Sequence, residues 1–158
     1  MKIRSLVEKD RARLLSMLIK TRAFASAEIG VAMELIDAVL KDRAQKDYRI
    51  YCMVDDQDQA VGYICYGPTP MTQGTFDLYW IAVDPDFQKQ GVGSKLLDFL
   101  EEVIRGLKGR MILADASYIP EFEKTERFYS KNGFQEVARI LDYYSPGNDR
   151  ITFCKRLT

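Results

Sequence analysis

The chain has 158 residues, enough to bury the core of one domain, and we predict a single domain over residues 1–158. Its 23 lysines and arginines balance 23 aspartates and glutamates, which argues against the broadly basic surface of a nucleic-acid-binding protein. Histidine is absent, which excludes Ser-His-Asp and Cys-His catalysis and histidine-based metal sites. A general acid or base must therefore be Asp, Glu, Tyr, Lys, Cys or water, and we predict no metal.

The cysteines and the N-terminus indicate where the protein works. Cys52, Cys65 and Cys154 are odd in number and form no Cys-x-x-Cys motif, so we predict free thiols in a reducing compartment. Residues 1–8 are charged and have no apolar segment typical of a secretion signal. No apolar run reaches the roughly 18 residues that a membrane span needs. We therefore predict a cytoplasmic protein without a membrane partner.

The first half of the chain predicts a strand, two helices and a β-hairpin. These cover residues 2–7 (strand), 8–22 and 26–42 (helices), and 49–54 and 60–66 (strands). Apolar residues at helical spacing among charges, such as Leu14, Leu15 and Leu18, indicate amphipathic helices. A polar turn at 55–59 joins the two hairpin strands.

The second half alternates strands and helices before it ends in another hairpin. We predict strands at 75–83, 111–116, 134–143 and 150–156, and helices at 94–107 and 121–131. The strand-helix-strand unit over residues 75–116 predicts a parallel pair, and the hairpins predict antiparallel pairs. The fold class is therefore α/β, with a mixed sheet and helices on both faces.

A glycine-rich segment, Gln88-Lys89-Gln90-Gly91-Val92-Gly93, joins the strand at 75–83 to the next helix. Two glycines spaced by one residue allow a tight turn, and a helix N-terminus there favours a phosphate. By itself the pair is equally typical of a simple strand-to-helix turn. Leu96 replaces the third glycine of the dinucleotide fingerprint, and the Walker loop pattern is absent.

The flanking residues make the pattern far more specific. The strand ends in Ile-Ala-Val-Asp-Pro, the loop continues into Gly-Ser-Lys-Leu-Leu, and a later helix carries Glu-Arg-Phe-Tyr-Ser-Lys-Asn-Gly-Phe. Together, Leu78 to Phe134 resembles the GNAT superfamily, the Gcn5-related N-acetyltransferases. The resemblance implies a central twisted mixed sheet of about six or seven strands flanked by about four helices.

The resemblance also implies that the protein binds acetyl-CoA as a co-substrate. Loop amides would wrap the pyrophosphate, and backbone groups of the preceding strand would pair with pantetheine, one N–H polarising the thioester carbonyl. The residues implied for the coenzyme are Ile81, Ala82, Val83, Gln88, Lys89, Gln90, Gly91, Val92, Gly93, Ser94, Ser117 and Phe128.

Two residues are candidates for the chemistry, in which an amine attacks the bound thioester directly. The resemblance implies that Tyr129 protonates the departing thiolate, although a tyrosine at this position also suits simple helix packing. Asp77 is the preferred base or amine anchor because an aspartate is disfavoured in the middle of a strand. An edge aspartate satisfied by a neighbouring backbone N–H is an equally good interpretation.

The acceptor side has weaker candidates. We predict acceptor contacts at Phe24, Glu28, Tyr79 and Asp115, although a solvated or core helix face explains Phe24 and Glu28 at least as well. The predicted function is acetyl transfer to a primary amine of a small or amino-acid-like molecule. Alternatives are a protein or peptide N-terminal acetyltransferase and a CoA-binding sensor without turnover. A homodimer is possible, as in many members of the superfamily.

Overall fold

The computed structural model describes residues 1–118 and 121–157, which form seven strands, four helices and a short 3₁₀ turn. The strands are β1 Lys2–Ser5, β2 Arg49–Val54, β3 Ala60–Pro68, β4 Thr75–Val83, β5 Met111–Ser117, β6 Gln135–Ser145 and β7 Asn148–Arg156. The helices are α1 Asp10–Thr21, α2 Ser26–Lys41, α3 Val92–Gly106 and α4 Phe122–Lys131, and the turn covers Pro85–Phe87.

All seven strands belong to one mixed sheet with the order β1-β2-β3-β4-β5-β7-β6. The β4–β5 pair is parallel, and the β1–β2, β2–β3, β5–β7 and β6–β7 pairs are antiparallel. The predicted mixed sheet with four helices is confirmed. Helix α3 begins two residues earlier than predicted, and the 3₁₀ turn at Pro85–Phe87 was not predicted.

The chain divides into two compact units. One contains Met1–Pro68 and Tyr79–Leu100, and the other contains Thr69–Leu78 and Glu101–Thr158. Strand β4 and helix α3 each contribute residues to both units. The expectation of a single domain stays a prediction.

The first unit is built around the apolar faces of α1 and α2. Alternating residues of β2 and β3, such as Cys52 and its cross-strand partner Tyr63, join this core, since side chains alternate between the faces of a strand. On β3, Gly62 allows a close approach of α3, because an added Cβ would lie 3.0 Å from the Val92 side chain. Val92, the first residue of α3, is therefore anchored against the sheet.

The second unit packs α4 against β7. Phe122 and Tyr129 of α4 are buried, and their rings lie 6.2 and 5.0 Å from that of Phe153. Strand β6, at the edge of the sheet, is exposed along its whole length. Its exposed large apolar side chains are Val137, Ile140, Leu141, Tyr143 and Tyr144.

Candidate functional site

The segment between β4 and α3 begins at a buried carboxylate. Asp84 accepts hydrogen bonds from the Asp86 amide (3.0 Å), from Lys20 (2.9 Å) and from Arg13 (3.0 Å). Burial opposes its ionisation, but the bonds from Lys20 and the Asp86 amide outweigh burial and hold the pKa of Asp84 below its usual value. The chain therefore leaves β4 in a fixed direction.

Side chains of the loop hold its own backbone. The Gln88 side-chain amide donates to the Val83 carbonyl at 3.2 Å, and that of Gln90 donates to the Asp86 carbonyl at 3.3 Å. Lys89 and Gly91 adopt left-handed φ values of 62° and 78°, which is costly for a lysine and ordinary for a glycine. Left-handed residues within such a turn direct successive amides toward one side, a geometry that binds anions.

Six consecutive backbone amides, from Lys89 to Ser94, are available to a ligand. Within the described parts of the chain, none of them donates a hydrogen bond to another residue, and the first bond of the helix is that from Lys95 N to Gly91 O at 3.0 Å. These amides stand at the positive end of α3, where the helix dipole favours negative charge. This segment, which we call the anion loop, fits a phosphate or pyrophosphate.

The strand that leads into the anion loop has a short parallel ladder. Residues Thr75–Leu78 of β4 are in register with Met111–Ala114 of β5. The next residues of β4 include Ile81, half-buried, and Ala82, buried in the core of the first unit. The Ala82 side chain anchors the strand in that core, which defines the backbone position of this part of β4.

In the second unit, Tyr129 lies in an aromatic cluster. Its ring stacks on Phe153 at 5.0 Å and meets Phe134 and Phe128 edge-on at 5.3 and 5.4 Å. Burial, reinforced by the negative charge of Asp115, raises the pKa of Tyr129 well above its usual value near 10. The hydroxyl therefore keeps its proton throughout the neutral and mildly alkaline range.

Asp115 is exposed on β5 and held by two neighbours on β7. It accepts a hydrogen bond from the Thr152 hydroxyl at 2.6 Å, and Arg150 Nε lies 3.3 Å from the same oxygen. Ser117, at the end of β5, pairs in register with Arg150 and is half-buried. The structure thus places the negative charge of Asp115 where it acts on Tyr129, a pairing that sequence spacing did not show.

Asp77 is half-buried in β4 and accepts a hydrogen bond from the Thr69 hydroxyl at 2.8 Å. The alternative interpretation, an edge aspartate satisfied by a backbone N–H, differs from this arrangement, because β4 lies between β3 and β5 and the donor is a side-chain hydroxyl. This bond uses one oxygen of the carboxylate and leaves it able to accept others. Its role as base or amine anchor stays a prediction.

The acceptor candidates of the first unit have local structural roles. Glu28 reaches back to the Ala25 amide at 3.0 Å and so caps α2. Phe24 packs on Trp80 with ring centroids 5.3 Å apart, and Tyr79 packs edge-on against Tyr48 at 5.4 Å. Glu28 is exposed, Phe24 is half-buried and Tyr79 is about one third exposed, so all three remain accessible to a ligand.

Comparison with known proteins identifies the family. The sequence profile described as "Acetyltransferase (GNAT) domain" matches residues 46–136, more than half of the chain. This chain belongs to the GNAT family. The resemblance that rested on the anion loop and on the Phe128–Phe134 segment is therefore confirmed.

Individual relatives agree with the GNAT assignment. S-(2-succino)cysteine N-acetyltransferase of Bacillus subtilis (strain 168) is 32% identical over 108 residues, which cover 62% of this chain and 62% of that relative. A solved structure from Desulfovibrio desulfuricans, assigned to the GNAT acetyltransferases, is 35% identical with a TM-score of 0.94, and the match covers 99% of each chain. An aminoglycoside 6'-N-acetyltransferase solved with coenzyme A shares the fold, with a TM-score of 0.77, 17% identity and coverage of 100% and 98%.

Two buried polar groups of the first unit are not among the site residues predicted from the sequence. Trp80 Nε1 and the Tyr63 hydroxyl are buried without a hydrogen-bond partner among the residues that the structure describes. Trp80 follows the acceptor candidate Tyr79 in β4 and packs on Phe24, whereas Tyr63 lies in an apolar strand, where nothing in the sequence separates it from an ordinary core residue. Burying such a group without a partner costs about 1–3 kcal/mol, so both are donors that a ligand or water would satisfy.

Metal and membrane features are also absent from the described parts of this GNAT protein. Across residues 1–118 and 121–157, no group of three or more Cys, Asp or Glu side chains is arranged to hold a metal ion. No helix in those ranges is long and apolar enough to cross a membrane.

Proposed function

We propose that this protein transfers an acetyl group from acetyl-CoA to the primary amine of a small, amino-acid-like molecule. The observation that carries the proposal is the row of six unpaired amides in the anion loop, Lys89 to Ser94. The Bacillus subtilis relative, named for acetylating S-(2-succino)cysteine, supports an amino-acid-like acceptor. The solved coenzyme A complex of a protein with this fold supports the donor.

Binding of the coenzyme rests on backbone groups. The amides of the anion loop donate to the pyrophosphate, and the N-terminus of α3 adds its dipole. Hydrogen bonds to charged groups are worth about 1.5–3 kcal/mol each, so a few of them suffice for micromolar affinity. The exposed Lys89 adds a positive charge, and the backbone of Ile81–Val83 pairs with the pantetheine amides.

Acetyl transfer needs a proton for the departing sulfur and a free electron pair on the acceptor amine. The amine attacks the thioester carbon, the C–S bond breaks, and the sulfur leaves as a thiolate. The Tyr129 hydroxyl gives its proton to that thiolate and is reprotonated from solvent. Its raised pKa ensures that the proton is present at neutral pH, although it also makes the hydroxyl a weaker acid.

The acceptor amine must lose a proton before it attacks. Deprotonation at pH 7 costs about 1 kcal/mol for an α-amine with a pKa of ~8, against about 4–5 kcal/mol for a lysine-type amine. A chain without histidine is therefore better suited to an α-amine. Asp77, oriented by Thr69, accepts the amine proton directly or through water. The candidate acceptor contacts stay Phe24, Glu28 and Tyr79 in the first unit and Asp115 in the second.

A product assay tests the function. The protein is incubated with acetyl-CoA and one amine at a time, and acetylated products are measured by mass spectrometry. The panel contains S-substituted cysteines, other amino acids, polyamines, an aminoglycoside and peptides with free N-termini. We expect the highest kcat/KM with amino-acid α-amines. Turnover only with peptides would favour the N-terminal acetyltransferase alternative, and acetyl-CoA binding without any product would favour the sensor.

We also propose that two copies associate through β6. The support is an edge strand exposed along its whole length, with large apolar side chains on it such as Val137, Leu141 and Tyr144. Light scattering coupled to size-exclusion chromatography tests this, with a dimer mass expected. A monomer at all concentrations would contradict it.

A cytoplasmic location is the last part of the proposal. Cys52, Cys65 and Cys154 are free and buried. Free thiols suit a reducing compartment. Fractionation of cells that express the full chain tests this, and recovery outside the cytoplasm would contradict it.

A further inference from the structure

A second polar cavity lies in the first unit, apart from the anion loop. It has a volume of about 270 Å³ and is lined by Ser5, Val39, Arg43, Gln45, Arg49, Ile50 and Tyr51. None of these residues belongs to the coenzyme or acceptor candidates. Val39 lies 11 residues beyond Glu28 on the same helix, which places the two about 16 Å apart along the axis.

Two arginines in this cavity are held by backbone carbonyls. Arg43 Nη1 donates to the Leu6 carbonyl at 2.7 Å. Arg49 Nη1 donates to the Tyr48 carbonyl at 3.2 Å and also to the Gln45 carbonyl. A guanidinium has five N–H donors, so each arginine is fixed through one nitrogen and keeps most of its donors for another partner.

The segment from Asp42 to Arg49, which carries both arginines, is held by its own hydrogen bonds. The Gln45 side chain donates to the Tyr48 carbonyl at 2.6 Å and accepts from the Tyr48 amide at 2.9 Å. The Ala44 amide donates to the Asp42 carboxylate at 3.0 Å. Little conformational entropy therefore remains to be lost when a ligand engages the two guanidinium groups.

Neither Arg43 nor Arg49 forms an ion pair with a carboxylate among the described residues. Other arginines of the same unit do so: Arg4 pairs with Asp10 at 2.7 Å, Arg11 with Asp37 at 2.5 Å and Arg13 with Asp84 at 3.0 Å. Two neighbouring positive charges without a counter-charge repel each other, and an anion shared between them removes that repulsion.

We propose that this cavity binds a small oxyanion, a phosphate or carboxylate group held by both guanidinium groups. Planar guanidinium donors match the paired oxygens of such groups. The volume is below the 300–1,000 Å³ typical of pockets for drug-sized ligands, so the ligand is a small anion or the anionic end of a larger molecule. A bound anion connects the segment that follows α2 with the start of β2 and so stabilises the fold.

Calorimetry with two probes tests the proposal. Inorganic phosphate and citrate are titrated into the full chain at constant ionic strength, and the two probes distinguish a phosphate from a carboxylate ligand. We expect millimolar binding of at least one probe. The double substitution Arg43→Gln with Arg49→Gln should weaken it at least tenfold. The matched control, Lys41→Gln with Lys46→Gln, removes two exposed charges from the same segment and should leave affinity within twofold.

Three outcomes would overturn the proposal: no binding to the wild type, equal loss in the lysine control, or unchanged binding in the arginine variant. The last would place the anion elsewhere, for example at the anion loop. If the arginine variant does not fold, wild-type crystals soaked in tungstate give the answer. Anomalous density beside Arg43 and Arg49 supports the site, and its absence there contradicts it.

Discussion

The anion loop of the first unit and the Tyr129 cluster of the second carry chemistry in different ways. In the loop, the proposed binding groups are the backbone amides from Lys89 to Ser94, and the Gln88 and Gln90 side chains hold the turn. In the cluster, the proposed acid is one side-chain hydroxyl, and its pKa depends on burial among the surrounding rings and on the charge of Asp115. Backbone binding groups can therefore be predicted from the spacing of glycines, whereas the pKa of a side chain depends on residues distant in the sequence.

The largest expected effect comes from Tyr129→Phe. The variant keeps the ring stacked on Phe153 and removes only the hydroxyl, so stability and coenzyme affinity should hardly change. Loss of a general acid should lower kcat about 100-fold or more. Steady-state kinetics and calorimetry check both parts. The matched control is Tyr66→Phe, because burial also raises the pKa of Tyr66, to about 12, and its hydroxyl has no proposed role. Equal kcat in both variants would remove Tyr129 from the mechanism.

The second-largest expected effect comes from Gly91→Ala, which adds one methyl group to the anion loop. Gly91 has φ of 78° and open space around its Cβ position, so Gly91→Ala adds backbone strain without a clash. A left-handed alanine costs about 1–2 kcal/mol, which should weaken acetyl-CoA binding about 5–30-fold. Gly106→Ala, at the other end of α3 with equally open space, is the control and should not weaken binding. Equal affinities in the two variants would contradict a role for the loop geometry.

The loss of stability at alkaline pH distinguishes the buried thiols of the first unit from the buried tyrosine of the second. Burial raises the pKa of Cys52 and Cys65 to about 12, from 9.0. Groups with a raised native pKa stabilise the fold below their unfolded pKa, and that stability is lost as pH rises above about 9. Each thiol should then remove about 1.4 kcal/mol of unfolding free energy per pH unit.

Urea unfolding between pH 7 and 10.5 measures this loss. The stability should be flat up to about pH 8.5 and fall above it, and Cys65→Val should make the fall shallower. Tyr129→Phe should have little effect until the pH passes 10, where the unfolded tyrosine begins to ionise. A wild-type profile that stays flat to pH 10.5 would contradict the buried, neutral state of these thiols.

The smallest expected effect concerns Asp115. Its charge helps to raise the pKa of Tyr129, so Asp115→Asn should lower that pKa and move the alkaline fall of kcat to lower pH. The kcat at pH 7 should change less than about threefold, since the hydroxyl is protonated in both forms. Glu126→Gln, an exposed change on α4, should leave the pH profile in place. A shift as large with Glu126→Gln would indicate a general charge effect.

The sequence predicted much of the fold because its signals are local. Helical spacing on α1 and α2, and the glycines at 91 and 93, depend on neighbours within a few residues. The hydrogen bond of Asp115 with Thr152 and its ion pair with Arg150 join residues more than 30 positions apart, and Phe153, which stacks on Tyr129, lies 24 positions from it in the sequence. Glu28 shows a further limit, because an acid typical of an amine site also serves as a helix cap.

Amide NMR spectra recorded during an acetyl-CoA titration test the central claim most directly. We predict that the Lys89–Ser94 amides shift together, downfield as they begin to donate to phosphate oxygens, and that they saturate at one affinity. The same titration with Gly91→Ala should show the same shifts at higher ligand concentration. Binding without changes at these six amides would contradict the account.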